Sequence, residues 1–438
     1  MAVRKLVKSL KTNDFLKSVS ILMTGTLIAQ GIGYVLAPLI SRLFTPEDMG
    51  DFAIFSRLTV LLTTIATARY EYSIPLAKSD DHSFHLFRLS LRIAFVSSAI
   101  SVLIFFLYFL LYDKNTVNLI WGMFVVLTAL ALVFFNIGTN WSIRHKQFTK
   151  ISYSKMTSSF GTNVSRVVFG FFHMGKWGLI FSLLIGSVLS SLHFVKDYFF
   201  HRNHSEHHLS RKKMRVLSRI YKDFPIANLP HALTDSLRDL IVAYLLTELY
   251  SKAVCGSYDH SFRMLRLPIM LFGVSMGQVF FNKISESIHT NKPILPQVQK
   301  MLLMLTGIGI VPFTVVYFIG GNLFSFVFGA EWYQAGKLSE IMAPWLFLNF
   351  VTSPLSTLPL VLNKQKSFFV IGLLLSAAQI AGFAIIPHFI GDMKTNVYAI
   401  FRYVTLGQVL ISMVSVWYFL KIAQDSDYSN SVDVGYFK

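Results

Sequence analysis

Charge is what this sequence has least of. Asp, Glu, Lys and Arg make up only 14% of its 438 residues, against 53% hydrophobic, and the mean hydropathy is +0.54. Soluble domains typically carry about 25% charge, so a soluble fold is excluded and the composition points to a polytopic membrane protein. Cysteine is nearly absent. Cys255 stands alone, which excludes an intrachain disulfide framework and a cysteine-rich metal site. Acidic residues number 22 against 40 Lys and Arg, a net charge of +18. Nucleic-acid binding needs such charge on one face of a soluble domain; here the cations fall between apolar runs, so no nucleic-acid partner is expected. Glycine-rich phosphate loops are missing, so no built-in ATPase is expected. No nucleophile–base pair or carboxylate dyad stands near an evident site, and the chain reads as a non-enzyme without cofactors. The first apolar run, from Ser18, is too long for a signal-peptide core and has no small-residue cleavage site.

What is present is a succession of apolar runs. A span needs about 20 mostly apolar residues. Twelve segments qualify: 18–41, 52–76, 88–112, 117–140, 151–173, 177–200, 224–250, 254–281, 298–321, 338–362, 367–390 and 397–421. The seventh is the least apolar, because it carries Asp235, Arg238, Asp239 and Glu248. The expected fold is all-α and polytopic, with about twelve transmembrane helices in two six-helix lobes. Six spans per lobe return the chain to the same side, so the lobes are expected to be related by a pseudo-twofold axis along the membrane normal.

Lys and Arg in the connecting segments set the orientation. With the N-terminus cytoplasmic, 21 of the 40 lie in inner segments and six in outer loops (Arg42, Lys114, Lys176, Lys252, Lys337 and Lys394). Both termini are therefore expected inside. The organisation reads as a basic N-terminus at 1–17, an N-lobe at 18–200, a cytoplasmic inter-lobe loop at 201–223, a C-lobe at 224–421 and a tail at 422–438. The basic part of the loop, Arg211 to Lys222, has the composition of an amphipathic helix on anionic lipid, although a solvated, topology-setting cluster explains it as well. His201, His204, His207 and His208 make the loop histidine-rich, which a flexible hydrophilic segment explains without a metal. Trp332, Tyr333 and Trp345 read as an interfacial aromatic belt.

One stretch occurs twice. LISRLFTPEDMGDFAIFSR at 39–57 and LLTELYSKAVCGSYDHSFR at 245–263 align without a gap at an offset of 206. Leu43 maps to Leu249, Thr45 to Ser251, Gly50 to Gly256 and Arg57 to Arg263. Each copy ends one apolar helix, turns through a short polar loop with a Gly and starts a second helix with an Arg one to two turns inside. An internal helix–loop–helix match of this kind marks structural repeats.

A charge deep in a span costs about 2.5–3.5 kcal/mol on insertion scales and usually faces an interior cavity. Arg88, Arg92, Lys155, Lys196, Lys300 and Lys421 lie near span ends and can snorkel. The informative cations are Arg57, Arg166, Arg238, Arg263, Arg266 and Arg402, the last near the outer end of the twelfth span, where it is expected to snorkel. Asp259, Arg263 and Arg266 fall at i, i+4 and i+7, and Asp235, Arg238 and Asp239 at i, i+3 and i+4, each set on one helix face. These deep cations are all Arg. Guanidinium grips phosphate oxygens bidentately and stays charged in any surroundings, so an anionic, phosphate-bearing ligand in a hydrated cavity between the lobes is expected. Two other roles stay open for the acids: Asp235, Asp239 and Asp259 are candidates for internal ion pairs or for carrying a coupling proton or cation.

With these residues laid out, the chain resembles the oligosaccharide-lipid flippases of the multidrug/oligosaccharidyl-lipid/polysaccharide exporter superfamily, the Wzx type. The resemblance rests on SRLFTPEDMGDFAIF at 41–55, ARYEYSIPL at 68–76, GSYDHSFRMLRLP at 256–268, FGAEWYQAG at 328–336, APW at 343–345 and SPLS at 353–356. It implies a flippase that moves a polyprenyl-pyrophosphate-linked oligosaccharide unit, a precursor of O-antigen, capsule or exopolysaccharide, across the bacterial inner membrane by alternating access. Membrane lipids, a glycan polymerase and a coupling proton or sodium ion are the further candidate partners. It also implies a cavity with a basic residue at the position of Arg263. The acids Asp235, Asp239 and Asp259 depart from an all-cationic cavity. The alternative within the superfamily is a drug/cation antiporter, whose cavity would be governed by carboxylates.

Overall fold

A computed structural model of the chain describes residues 14–112, 114–204, 210–290, 292–389 and 396–436, and every regular element among them is a helix. Hydrocarbon offers the backbone no hydrogen-bond partner, so a spanning segment must satisfy its own amides and carbonyls. Apolar runs of this length therefore close into helices. The chain divides into two compact units, Met1–Leu240 and Ile241–Lys438.

The first unit holds α1 (Asp14–Leu43), α2 (Pro46–Ala66), a 3₁₀ segment (Tyr70–Leu76), α3 (Asp80–Leu111), α4 (Thr116–Arg144), α5 (Phe148–Phe171), α6 (Gly175–His204), α7 (Arg211–Ile220) and a π-helical turn (Phe224–Asn228). The division falls within α8 (Leu229–Leu249). The second unit continues with α9 (Lys252–Leu265), a π-helical turn (Ile269–Gly273), α10 (Val274–His289), α11 (Leu295–Phe328), α12 (Tyr333–Thr352), the short α13 (Leu358–Val361), α14 (Gln365–Ile385) and α15 (Val397–Tyr436).

Among the described residues eight helices, α1–α4, α6, α11, α14 and α15, are long and apolar enough to cross a membrane. A ninth span is the pair Ala330–Thr352 and Pro354–Val361, bent by 43°. The protein is thus a multi-pass, all-helical membrane protein. Three further helical regions occupy expected spans but are less apolar: α5, α8 and the α9–α10 pair. In α5 the reason is visible. Ser152 Oγ donates to the Ile21 carbonyl of α1 at 2.9 Å, Ser154 Oγ to the Ser190 carbonyl of α6 at 2.7 Å, and Ser159 Oγ to the Ala29 carbonyl of α1. Small hydroxyl residues let helices approach closely and bond across the contact. A Cβ on Gly25 of α1 would lie 2.3 Å from Ser152 Cβ. The polarity of α5 is spent on its two neighbours.

Several segments end elsewhere than the hydropathy predicts. The second span, expected over 52–76, starts at Pro46 behind the Thr45 cap and stops at Ala66. Ala68 (φ 49°) and Arg69 (φ 64°) then adopt the left-handed conformation, which breaks the helix. The eighth, expected as one helix over 254–281, is interrupted after Leu265, just before Pro268, and resumes as α10; proline cannot continue the backbone ladder. The last helix continues past 421 to Tyr436. Within 201–223, α6 runs on to His204 and α7 is helical, while residues 205–209, with His207 and His208, lie outside the described residues, as does 1–13 of the basic N-terminus.

The core of the first unit gathers Phe84, Phe87 and Leu91 of α3, Val133, Ile137 and Trp141 of α4, Ile74 of the 3₁₀ segment and Leu217 of α7. Trp141 meets Phe87 and Phe84 edge-on at 5.4 and 6.1 Å, the geometry ring quadrupoles favour. In the second unit α11 and α12 pack so closely that a Cβ on Gly336 would stand 2.2 Å from the Gly320 carbonyl oxygen. Here α11 is kinked: Ile319 leaves helical geometry at φ −129°, ψ 17°. Glu340 of α12 repairs the kink by accepting the Gly321 N–H at 2.8 Å, and Lys337 Nζ donates to the same carboxylate at 2.8 Å. The aromatic belt expected of Trp332 and Trp345 is not there. Both are buried, and Trp332 stacks against the buried His260 ring at 4.3 Å, with Phe328 at 4.6 Å from that ring. These rings fill the core between α9, α11 and α12; only Tyr333 of the three is exposed.

Candidate functional site

The two copies of the repeated stretch fold alike. α1 ends at Leu43 and α2 begins after the Thr45 cap; α8 ends at Leu249 and α9 begins after the Ser251 cap. Both caps do what a residue at this position can do, accepting an orphan N–H of the first turn: Asp48 N donates to Thr45 Oγ1 and Val254 N to Ser251 Oγ, each at 3.2 Å. All four boundaries keep the offset of 206. Burial repeats too, with Phe44 and Tyr250, Gly50 and Gly256, and Phe52 and Tyr258 all inside. Arg57 and Arg263 are held in the same register of their respective helices, both half-buried.

Beyond that register the two arginines have different company. Arg263 binds Asp259 one turn back, through Nη2 to Oδ2, and Asp259 is itself largely buried. Arg266, the C-cap of α9, is exposed and stacks its guanidinium over Phe262 at 5.1 Å. Among the described residues no carboxylate stands within 4.0 Å of Arg266. Its charge is therefore available to a ligand without breaking an existing pair.

On α8 the three charges converge. Arg238 Nη2 lies 2.9 Å from Asp239 Oδ1, and Nη1 lies 3.4 Å from Asp235 Oδ1. Two carboxylates share one guanidinium, so this face of α8 carries a net charge of −1. The same helix is tied to α2 through Ser236 Oγ and Thr64 Oγ1 at 3.4 Å. The position of Arg238 on the sequence is that of a cation; its surroundings make it part of an acidic face.

In the first unit, Arg166 of α5 places its guanidinium over the Phe52 ring of α2 at 5.1 Å, and its Nε is buried. Arg57 Nη1 is buried as well. Lys155 of α5, which the sequence places among the snorkelling cations, instead turns inward and donates to Thr26 Oγ1 of α1 at 3.1 Å. Its signal was the serine- and threonine-rich run around it, which marks α5 as an interior helix.

A further group is one whose burial the sequence did not signal. Glu71, in the 3₁₀ segment between the second and third spans, is 2% exposed. It accepts from Thr67 Oγ1 and lies 4.0 Å from Arg69 Nη1. Burial raises its pKa above the usual carboxylate value, and the Thr67 hydrogen bond and Arg69 only partly offset that. On a regular helix residues two apart point to different faces, so sequence spacing alone argues against pairing Arg69 with Glu71. The left-handed turn at Ala68 and Arg69 brings them together. Arg69 also donates to Asn228 at 3.1 Å and stacks on Tyr72 at 4.4 Å, anchoring the turn to the segment that follows α7. Among the described residues no group of three or more His, Cys, Asp or Glu gathers as a metal site.

Residues 39–337 match the family described as polysaccharide biosynthesis protein. No curated protein matches the chain. Among solved structures, the fold is similar to an inward-facing multidrug-resistance MATE family transporter of the MOP superfamily, with TM-score 0.70 and 12% identity over 94% of this chain and 98% of that one. It is also similar to the lipid II flippase MurJ in an inward closed conformation, with TM-score 0.68 and 15% identity over 94% and 91%. A third relative is a MOP superfamily transporter from Pyrococcus furiosus, described by the reverse polarity of its binding pocket, with TM-score 0.58 and 12% identity over 94% and 96%. At these identities the likeness carries the fold.

Proposed function

We propose that this chain, which belongs to the polysaccharide biosynthesis protein family, is a flippase for a polyprenyl-pyrophosphate-linked oligosaccharide in the bacterial inner membrane, with both termini cytoplasmic. The family match carries the reading, and the chemistry of the interior cations supports it. A pyrophosphate is a compact dianion or more that hydrocarbon cannot dissolve; a path for it needs charge-assisted donors at membrane depth. Guanidinium supplies them bidentately. Arg266 is the foremost ligand-binding candidate, since it is exposed and holds no carboxylate. Arg57, Arg166 and Arg263 are the supporting ones. Arg263 would exchange Asp259 for the phosphate, and that exchange leaves Asp259 free to take up a proton or sodium ion, a simple way to couple substrate to an ion. Alternating access moves the bound headgroup while the isoprenoid stays in the bilayer.

A second reading has its own support. The α8 face of Asp235, Arg238 and Asp239 is net acidic, and the fold is similar to a multidrug-resistance MATE transporter. A drug/cation antiporter would bind there. Complementation of a flippase-deficient strain separates the two. Arg266→Ala is expected to abolish surface glycan at normal protein level, and Arg266→Lys to restore it in part. Full export by Arg266→Ala and Arg57→Ala, with dye sensitivity that follows Asp235→Asn and Asp239→Asn, would overturn the flippase in favour of the antiporter.

A further inference from the structure

The helix α7 has three faces with three different fates. Met214 and Leu217 point inward and are buried, Leu217 within the core of the first unit beside Phe84, Phe87 and Trp141. On the flank, Lys213 Nζ reaches Asp81 at 3.1 Å, next to the start of α3. Two hydrogen bonds close the dock: Tyr70 Oη donates to the Ser218 carbonyl at 2.9 Å and Tyr221 Oη to the Leu76 carbonyl at 3.2 Å. Asp81 lies in the first turn of the third span and Leu76 closes the segment after the second, so α7 is fixed at the level where the spans leave the hydrocarbon.

Among the described residues the third face has no partner. Arg211, Arg215 and Arg219 fall at i, i+4 and i+8, and Lys212, Val216 and Ile220 form the adjacent row at the same spacing. Residues so spaced stand about 5–6 Å apart along one face. All six are exposed, Val216 by 55% and Ile220 by 62%. Among the described residues none of the four cations has a carboxylate within 4.0 Å, in contrast to Lys213. The helix carries five cations and no acid in ten residues.

We infer that this outer face of α7 docks anionic phospholipid headgroups. Charge complementarity selects an anion, and the row of three guanidiniums matches phosphates spaced along a surface. The apolar row decides the kind of anion. A soluble acidic polymer would leave Val216 and Ile220 in water, whereas the headgroup–acyl boundary takes the charges and the aliphatic side chains together. Surface-bound cations gain from an anionic leaflet individually, so the row acts additively. Because the inner face is clamped to Tyr70 and Leu76, lipid held on α7 is held beside the segment that links the second and third spans.

The test uses the full-length protein in nanodiscs, with Val216→Cys carrying an environment-sensitive fluorophore; Cys255 is buried. Brominated phosphatidylglycerol is expected to quench the label at least threefold more than brominated phosphatidylcholine at equal mole fraction. Arg211→Gln, Arg215→Gln and Arg219→Gln together are expected to bring that ratio to about one. Lys213→Gln, which touches only Asp81, is expected to leave the ratio unchanged and controls for folding. Equal quenching by both lipids, a ratio that survives the triple substitution, or a label open to aqueous iodide in every lipid would each overturn the assignment. Loss of lipid quenching on adding RNA or a soluble acidic protein would assign the face to that occupant instead.

Discussion

Thr45 and Ser251 stand 206 positions apart and cap their helices through the same bond at the same length, 3.2 Å. Losing such a cap costs about 1 kcal/mol. Thr45→Ala and Ser251→Ala are each expected to lower the thermal unfolding midpoint of the detergent-solubilised protein by a few degrees. Thr45→Ala is expected to cost more, since Asp48 also accepts the Thr45 N–H at 3.2 Å and completes a capping box, and the cap hydroxyl donates to that same carboxylate.

Gly336 and Gly320 make the tightest helix contact of the second unit described above. Gly336→Ala puts a methyl 2.2 Å from a carbonyl oxygen that belongs to the backbone and cannot swing away. Overpacking of this kind costs about 1–3 kcal/mol. Gly372→Ala in α14 is the control, because nothing lies within 4 Å of its added Cβ. It is expected to stabilise by roughly 0.5–1 kcal/mol, the helix-interior difference between the two residues. Thermal unfolding of both variants checks the pair.

Glu71 makes stability depend on pH. Its pKa is raised in the folded protein, so between the unfolded and folded values the native state binds more protons than the unfolded one. Stability then falls as pH rises through that window. Glu71→Gln keeps an acceptor for Thr67 without the buried charge. It is expected to be more stable than the unchanged protein at pH 8, with the difference shrinking toward pH 4. Unfolding midpoints across that range check the sign; a constant difference would refute it.

Arg238 bridges two carboxylates, Asp239 at 2.9 Å and Asp235 at 3.4 Å. Removing it alone, in Arg238→Ala, leaves Asp235 and Asp239 as a like-charge i, i+4 pair. The single variant is expected to be less stable than Arg238→Ala combined with Asp235→Asn and Asp239→Asn. If it is equally stable, the triad is not coupled.

Asp427 Oδ1 and Oδ2 accept the Ile294 and Leu295 N–H groups at 2.6 and 2.9 Å, a carboxylate at the start of a helix where the dipole favours it. Asp427→Ala is expected to cost about 1–2 kcal/mol and to increase amide exchange at the first turn of α11 selectively.

Hydropathy and local spacing made much of this legible. The strongly apolar helices α3, α4, α11 and α14 needed only their length. The i, i+4 pairing of Asp259 with Arg263 followed from helix geometry, as did the shared face of Asp235, Arg238 and Asp239. Other features depended on contacts between segments distant in sequence. Nothing in TARYEYS announces a left-handed turn at Ala68 and Arg69, since neither residue is glycine, and so the burial of Glu71 and its approach to Arg69 were invisible. Lys155 looked like a snorkelling cation because the hydroxyl awaiting it lies on α1. Trp332 and Trp345 looked interfacial because hydropathy cannot tell a ring facing His260 from one facing headgroups. The partner of Glu340 is set by the kink of α11, which frees the Gly321 amide, and hydropathy does not signal that kink.

The length of α15 has a practical consequence. Forty residues of helix reach about 60 Å, twice the hydrocarbon thickness of about 30 Å, and Asp427 fastens the far portion to the start of α11. A fluorophore joined beyond Tyr436 would ride on a shaft, not a tether. Its position relative to a label on α11 would be fixed in one conformational state, so a change in energy transfer between them on adding substrate would report motion inside the second unit.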